Sequence, residues 1–398
     1  MAEWIECKIS DIGTVVGGAT PSTKKNEYYE GGNIAWITPK DLATFSGRYI
    51  QRGERNITEI GLKSCSTQLL PQNTILFSSR APIGYVAIAA NEVCTNQGFK
   101  SVIPNEDTDP LFLFYLLKYN KDRIEGMGSG TTFKEVSGNT MKNIVVNVPA
   151  DKEIQTKIAS LLGAIDDKIE ENERINNNLE QQAMALFKSW FIDYDPFDGQ
   201  VPSTWKYGVL GDFVEIKRGG SPRPIQNFLS DSGLHWLKIS DATGISSPFI
   251  SEIKEYIIEE GLKKTVFLKA GSLVLSNSAT PGLPKILDID TCIHDGWLYF
   301  PSSKFSNEYL YLYFKHIRNN LVALGNGSVF TNLKTDILKN YPTNLPTDEV
   351  LNEFDKIMKS IFSMILSTTR ESKRLTEIRD TLLPRLMSGE LDVSDLDL

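Results

Sequence analysis

The stretch from Asp151 to Phe191 limits what this chain can become, because it reads as one unbroken helix of about forty residues. Apolar side chains recur at Ile154, Ile158, Leu161, Leu162, Ile165, Ile169, Ile175, Leu179, Leu186 and Trp190. Spacings of three, four and seven place them on one face of a helix. No proline and only one internal glycine, Gly163, interrupts the run, and Asp151 is placed to cap its first turn. At 1.5 Å per residue such a rod is about 60 Å long, too long for one globular core to cover. It needs a partner helix.

The same chain supplies one. From Asp348 to Leu383 a second stripe runs through Val350, Phe354, Ile357, Ile361, Met364, Ile365, Leu375, Ile378 and Leu382. Shifted by 196 positions the stripes register, Ile154 with Val350, Ile158 with Phe354, Ile165 with Ile361, Leu179 with Leu375, and Leu186 with Leu382. Both carry a polar break, at Asn172 and Asn176 in the first and at Thr368 and Ser372 in the second. A polar interruption in an apolar seam fixes register at some cost in stability.

The regions before the rods repeat as well. Trp4, Asp11, Gly18 and Pro21 match Trp205, Asp212, Gly219 and Pro222 at an offset of 201. Trp36, Asp41 and Gly61-Leu62-Lys63 recur 200 positions later. Ser78, Ala81, Gly84 and Gly98 recur after 198, and Gly128, Gly130 and Phe133 after 197. A slowly drifting offset with order preserved is the mark of a duplicated unit with small loop deletions. The expected class is α+β, two pseudo-repeated α/β domains separated by two long helices that pair as an antiparallel intramolecular coiled coil. The expected boundaries are a first globule at 1–150, a spacer helix at 151–192, a linker at 193–204, a second globule at 205–346, and a C-terminal spacer helix and tail at 347–398. Within the first globule Asn33 to Thr38, Thr74 to Ser79, Tyr85 to Ala90 and Ile144 to Val148 have strand composition, and Pro110 to Glu125 reads as an amphipathic helix. Antiparallel pairing relates the halves by a pseudo-two-fold axis and inverts one globule relative to the other. Duplex DNA has the same kind of axis, so two such heads on a spacer could read two separated half-sites.

Charge locates the acidity. The chain has net charge −8, but residues 1–150 are net 0, 151–200 net −6, 201–346 net +2 and 347–398 net −4. The rods are acidic and the globules are neutral or slightly basic, which leaves room for a local phosphate-binding face on each. The longest apolar runs, such as Leu111 to Leu117, are too short to span a bilayer, and Met1-Ala2-Glu3-Trp4 does not open a signal peptide. Four scattered cysteines without a Cys-x-x-Cys pair fit free thiols and a cytoplasmic location. His235, His294 and His316 lack metal-ligand spacing.

Two segments carry a family likeness. Phe187-Lys188-Ser189-Trp190-Phe191-Ile192-Asp193-Tyr194-Asp195-Pro196-Phe197 closes the first rod, and Arg379-Asp380-Thr381-Leu382-Leu383-Pro384-Arg385-Leu386-Met387-Ser388-Gly389-Glu390 closes the second. With the repeated Gly-x-x-Pro at Gly18 and Gly219, the chain resembles over its whole length the DNA-specificity subunit of Type I restriction-modification enzymes. The resemblance implies two target-recognition domains, each reading part of a split double-stranded DNA sequence. It also implies helices that set the spacing and dock two methyltransferase (modification) subunits, with restriction and translocation subunits completing the nuclease.

Catalysis is expected from those partners. There is no glycine-rich cofactor turn with an Asn/Asp-Pro-Pro-aromatic motif, no Walker-type loop and no nuclease-like metal cluster, so no cofactor or metal is expected. Asp195-Pro196-Phe197 lacks the second proline and reads as a helix stop. Base readout needs donors and acceptors on protruding loops. The candidates in the first globule are Thr20, Ser22, Lys24, Lys25, Ser79, Arg80, Asn96, Gln97, Thr132 and Lys134. In the second they are Arg218, Ser221, Arg223, Asn277, Ser278, His294, Asn326 and Lys334. For each, the competing reading is a solvated turn residue. Tyr28, Tyr29, Trp36 and Trp236 read as core, and Asp166, Asp167, Glu170, Glu171 and Glu173 as an exposed acidic rod face available to a partner. The competing function is a structural adaptor whose coiled rods join two protein-binding heads.

Overall fold

The computed structural model describes residues 2–130, 134–325 and 332–396. Two helices of 40 residues each, Lys152–Phe191 and Asp348–Met387, form the rods. The chain divides into two compact units, Met1–Glu170 with Lys373–Leu398, and Glu171–Ser372. Each unit therefore holds one globular head and a segment of both rods.

The two heads are built on the same plan. The first has a five-stranded mixed sheet in the order Gly13–Gly17, Lys100–Pro104, Ile75–Ser79, Ile83–Ala89, Tyr49–Ile50. The second repeats it as Val214–Arg218, Trp297–Ser303, Leu273–Ser276, Pro284–Leu287, Phe249–Ile250. In both, the last pair is parallel and the others antiparallel. A second sheet carries Ile34–Ile37 in the first head, where it has three strands, and Leu234–Leu237 in the second, where it has five, burying Trp36 and Trp236. A two-stranded ribbon, Trp4–Lys8 with Val145–Pro149, brings the ends of the first head together, and Lys206–Val209 with Pro342–Leu345 does so in the second.

The stretch expected as one amphipathic helix from Pro110 to Glu125 is two helices, Pro110–Tyr119 and Lys121–Gly126. At the break the Asn120 side chain donates to the Leu116 carbonyl at 2.8 Å, the local competition with helix bonding that asparagine favours. The first of the two is not amphipathic: Phe112 to Leu117 are all buried, packed between the sheet and the rod.

Within each unit the rod segments run antiparallel. In the first, Ile158 and Leu162 share a core with Leu383, Leu386 and Met387, and Asp166 meets Arg379 at 2.7 Å. In the second, Phe187 and Phe191 pack on Phe354, while the fully buried Asn172 donates to Glu371 at 2.9 Å. Asn176 bonds Thr368 and Thr369. The shift of 196 therefore marks equivalent rather than facing positions: Ile154 lies in the first unit beside Gly389 and Leu391, and Val350 packs against the core of the second. The seam of the second rod runs through Leu351, Phe354, Met358, Phe362 and Ile365, all buried, whereas Ile357, Met364 and Ile378 are 39%, 51% and 48% exposed. A sequence stripe wide enough to meet both a partner helix and a head does not reveal which edge is left outside.

The rod's acidic face also differs from expectation. Asp166 is buried, accepting from the Tyr115 hydroxyl at 2.6 Å as well as from Arg379. Asp167 and Glu170 hold Arg48, which donates to Glu170 at 2.9 Å and to the Gly163 carbonyl at 3.3 Å. Asp166 and Glu170 thus help attach a head to its rod, whereas Asp167 keeps 73% exposure and Glu171 and Glu173 are exposed as expected. Gly163 gives the head a close approach there, since a Cβ would stand 3.0 Å from the Leu111 side chain.

Candidate nucleic-acid interface

Each head carries the same backbone frame beside its central sheet. In the first, Ser79 N–H donates to the Gly98 carbonyl at 2.7 Å and Val136 N–H donates to the Ser79 carbonyl at 3.0 Å. In the second, Asn277 N–H donates to the Gly296 carbonyl at 2.8 Å and Leu333 N–H to the Asn277 carbonyl at 2.7 Å. The Gly-x-x-Pro loops pass close to that frame. A Cβ on Gly18 would lie 2.2 Å from the Thr95 and Asn96 carbonyl oxygens, and one on Gly219 2.3 Å from the His294 carbonyl oxygen. No side chain fits, so glycine is obligatory at both. The turn after each frame strand puts an alanine in the left-handed region, Ala81 at φ 53° and Ala279 at φ 56°. Such backbone costs energy and persists only where its surroundings dictate it.

Side chains dress the two frames differently. In the first head the Thr20 hydroxyl donates to the Gln97 side chain. Asn96 accepts the Gly98 N–H at 2.8 Å, closing a tight turn. Glu135 is shared by Lys100 at 3.2 Å and Arg80 at 3.7 Å, and Lys100 reaches the buried Ser79 hydroxyl at 3.5 Å. Ser22 and Lys24 are exposed, and the exposed Lys25 lies 3.7 Å from Glu27 and 5.0 Å from the centre of the Tyr28 ring. Lys134 is exposed beside Glu135, and Thr132 lies outside the described residues.

In the second head the Ser221 hydroxyl donates to Asp295 at 2.6 Å, where the first has Thr20 and Gln97. Arg223 pairs with the same carboxylate at 3.2 Å, and Arg218 donates to the Asp295 backbone carbonyl. The Ser221 hydroxyl, followed by the positive field of Arg218, holds the Asp295 carboxyl below its usual range. His294 accepts the Gly296 N–H on Nδ1 at 2.8 Å, as Asn96 does in the first head. Burial lowers its pKa, so the neutral ring carries its proton on Nε2. Asn277 is buried and its Oδ1 has no hydrogen-bond partner among the described residues. Ser221, Arg223, Ser278 and His294 line a cleft of about 870 Å³ walled by Pro222, Ile225, Trp236 and Ile239. Lys334 is exposed at the start of the helix Thr335–Lys339, and Asn326 lies outside the described residues.

Most of the named loop residues thus gather around two equivalent frames. Ser79 and Asn277 are the exceptions in kind: both are buried and build the frame. Reading the sequence missed Asp295, Glu135 and Lys100. Asp295 was discoverable, since the repeat aligns it with Gln97; Glu135 and Lys100 gave no comparable signal.

The comparisons agree with this duplication. A family model described as the Type I restriction modification DNA specificity domain matches twice, over residues 1–181 and 202–379. The chain is 35% identical over 416 residues to the Type I restriction enzyme MjaIX specificity subunit of Methanocaldococcus jannaschii, covering 99% of this chain and 95% of that protein. It is 25% identical over 472 residues to the HindI specificity subunit of Haemophilus influenzae, covering 98% and 100%. The crystal structure of the S subunit of a Type I restriction-modification system from M. genitalium shares the fold, with a TM-score of 0.62 at 16% identity over 97% of this chain and 96% of that one. The chain belongs to the family of Type I restriction-modification DNA specificity subunits, and it carries the family's domain in two copies.

Proposed function

We propose that each head reads one half of a split sequence in double-stranded DNA and that the rods fix the distance between the halves. The observation carrying this reading is the pair of equivalent frames, held by matching main-chain bonds and different in side chains, within a chain of this family. A shared frame gives both heads one way of sitting on the duplex, and different side chains give each its own bases. The chain supplies recognition, while two methyltransferase subunits docked on the rods supply methyl transfer to adenine. Restriction and translocation subunits would join that assembly. The cytoplasm is the proposed location, in keeping with described helices too short or too polar to cross a membrane. The target-recognition domains correspond to residues 1–150 and 205–346, with contacts drawn from the loop residues named above.

The test is a domain exchange. Residues 205–346 are replaced by the corresponding domain of another such subunit, the hybrid is co-expressed with its methylating partners, and methylated adenines are mapped across the genome. One half of a split motif should change while the other half and the spacing stay. A motif without two parts, or one that changes in both, overturns the reading.

A further inference from the structure

Once the two frames are superposed position by position, three side chains differ as a set. Arg218 ends an edge strand opposite Leu298, and Gly17 ends the equivalent strand opposite Lys100. Arg223 follows Pro222, where Ser22 follows Pro21. Asp295 accepts the Ser221 hydroxyl, where Gln97 accepts that of Thr20. The second head thus holds two arginines and a carboxylate where the first holds a glycine, a serine and an amide. Gln97 could not balance two guanidinium charges, and Asp295 without Arg218 and Arg223 would present a bare negative charge where a polyanion must approach.

We propose that Arg218, Arg223 and Asp295 form the base-selecting unit of the second head, with Arg223 recognising a guanine edge and Asp295 acting as a positioning residue. This rests on the reading of the heads as half-site readers. Arg223 spends one terminal amine on Asp295, and its side chain remains 79% exposed. A planar guanidinium gripped on one side by a carboxylate loses its rotational freedom and keeps further donors free in a fixed plane, the geometry that matches O6 and N7 of guanine. Asp295 is itself fixed, by Ser221 at 2.6 Å on its side chain and by Asn277 at 3.2 Å and Arg218 on its carbonyl. The carboxylate also neutralises part of the cationic charge. The two arginines therefore gain less from phosphates in general and more from one base in a defined place.

The experiment uses the full chain with its methylating subunits and DNA substrates varied one base pair at a time in each half-site. Asp295→Asn keeps the shape and removes the charge, and Arg223→Ala alters an exposed side chain outside the core, so folding is preserved in at least one variant. Each should relax discrimination at one guanine of the second head's half-site by about tenfold. All positions of the first head's half-site should be unaffected. The triple change Arg218→Gly, Arg223→Ser, Asp295→Gln should abolish preference at that position. Equal weakening on every substrate with a shallower salt dependence would make the arginines phosphate contacts and overturn the assignment. So would unchanged discrimination in both single variants on an otherwise intact split motif, which leaves the two-headed reading standing. An unaltered complex without a split motif overturns both.

Discussion

The attachment of the first head to its rod rests on Arg48, and its removal gives a cost that can be worked from the structure. The side chain is 7% exposed and donates to Glu170, itself 25% exposed, to Asp167, 73% exposed, and to the Gly163 carbonyl. Burial works against the guanidinium charge, and the bonds from Glu170 and then Asp167 more than offset it. Breaking a fully buried ion pair costs about 3–5 kcal/mol, because the remaining charge is left unpaired in a poor solvent. Here Asp167 returns to water without penalty and Glu170 is partly solvated, so Arg48→Met should cost about 2–3 kcal/mol. The methionine retains most of the buried stem, which confines the loss to the charges. Because the chain has two units, a single global unfolding energy is a poor measure. Amide exchange at Ile88, whose N–H donates to the Arg48 carbonyl at 2.7 Å, reports locally. Its protection should fall by about thirtyfold or more, given tenfold per 1.4 kcal/mol. Combining Arg48→Met with Glu170→Gln should recover part of the loss. Protection unchanged by Arg48→Met, or strict additivity in the double variant, would show that the cluster is surface decoration and refute the argument.

Other outcomes follow from the same geometry. Lys24→Ala and Arg80→Ala should each weaken DNA binding and reduce the steepness of log affinity against log salt by about one unit, assembly with partners staying intact; two unchanged slopes remove them from the phosphate track. His294 and Asn96 make the same turn bond, so His294→Asn keeps that bond and deletes the titration. Since the folded pKa of His294 lies below its ordinary 6.5, the folded state binds fewer protons than the unfolded. The stability of the unaltered protein relative to the variant should hold above pH 6.5 and decline as pH falls below it, and thermal melts over that range check this. Lys285 is 2% exposed, donates to the Ile245 carbonyl at 2.6 Å and is pushed down to about 8 by burial. Its lowered pKa makes the unfolded chain bind more protons between pH 8 and 10.5, so stability relative to Lys285→Met should rise with pH through that window. A flat difference in chemical denaturation there contradicts the burial argument.

The rods and the duplication were legible in the chain because each leaves a long-range statistical trace. Forty residues of 3.6-fold periodicity without proline allow little else, and a repeat preserved in order across 200 positions survives loss of identity. What was not legible depends on three-dimensional placement. Asp166 and Glu170 looked like part of a solvated acidic face because nothing local announces Tyr115, Arg379 and Arg48. Ile357 and Met364 looked like seam because heptad spacing says which residues share a face but not how wide the buried part is. The order of the central strands, with the first beside the last, is a non-local pairing that periodicity cannot convey. At the candidate interface, residue type drew attention to arginines, lysines and amides and away from Asp295, since a carboxylate near DNA looks unfavourable in isolation. Only its partners make it intelligible.

That oversight points to why a duplicated reader can diverge. The frame in each head is held by main-chain bonds and by glycines that exclude any Cβ, interactions indifferent to most side chains around them. Gln97 and Asp295 sit at the same place on it, one residue before a glycine whose carbonyl anchors the central strand. Substitution there changes what is presented without disturbing what presents it, provided charge is conserved locally. In the first head Glu135 balances Arg80 and Lys100, and in the second Asp295 faces Arg218 and Arg223. The carboxylate has moved around the frame together with its cations. A single arginine grafted into the first head should therefore behave poorly. Ser22→Arg alone places a guanidinium beside Gln97 with no carboxylate to orient it, and should raise affinity for all DNA without new base preference. Ser22→Arg with Gln97→Asp should restrict the gain to sites with guanine at one position. If the single change proves as selective as the pair, the carboxylate has no part in orientation and the coupling of charge to specificity fails.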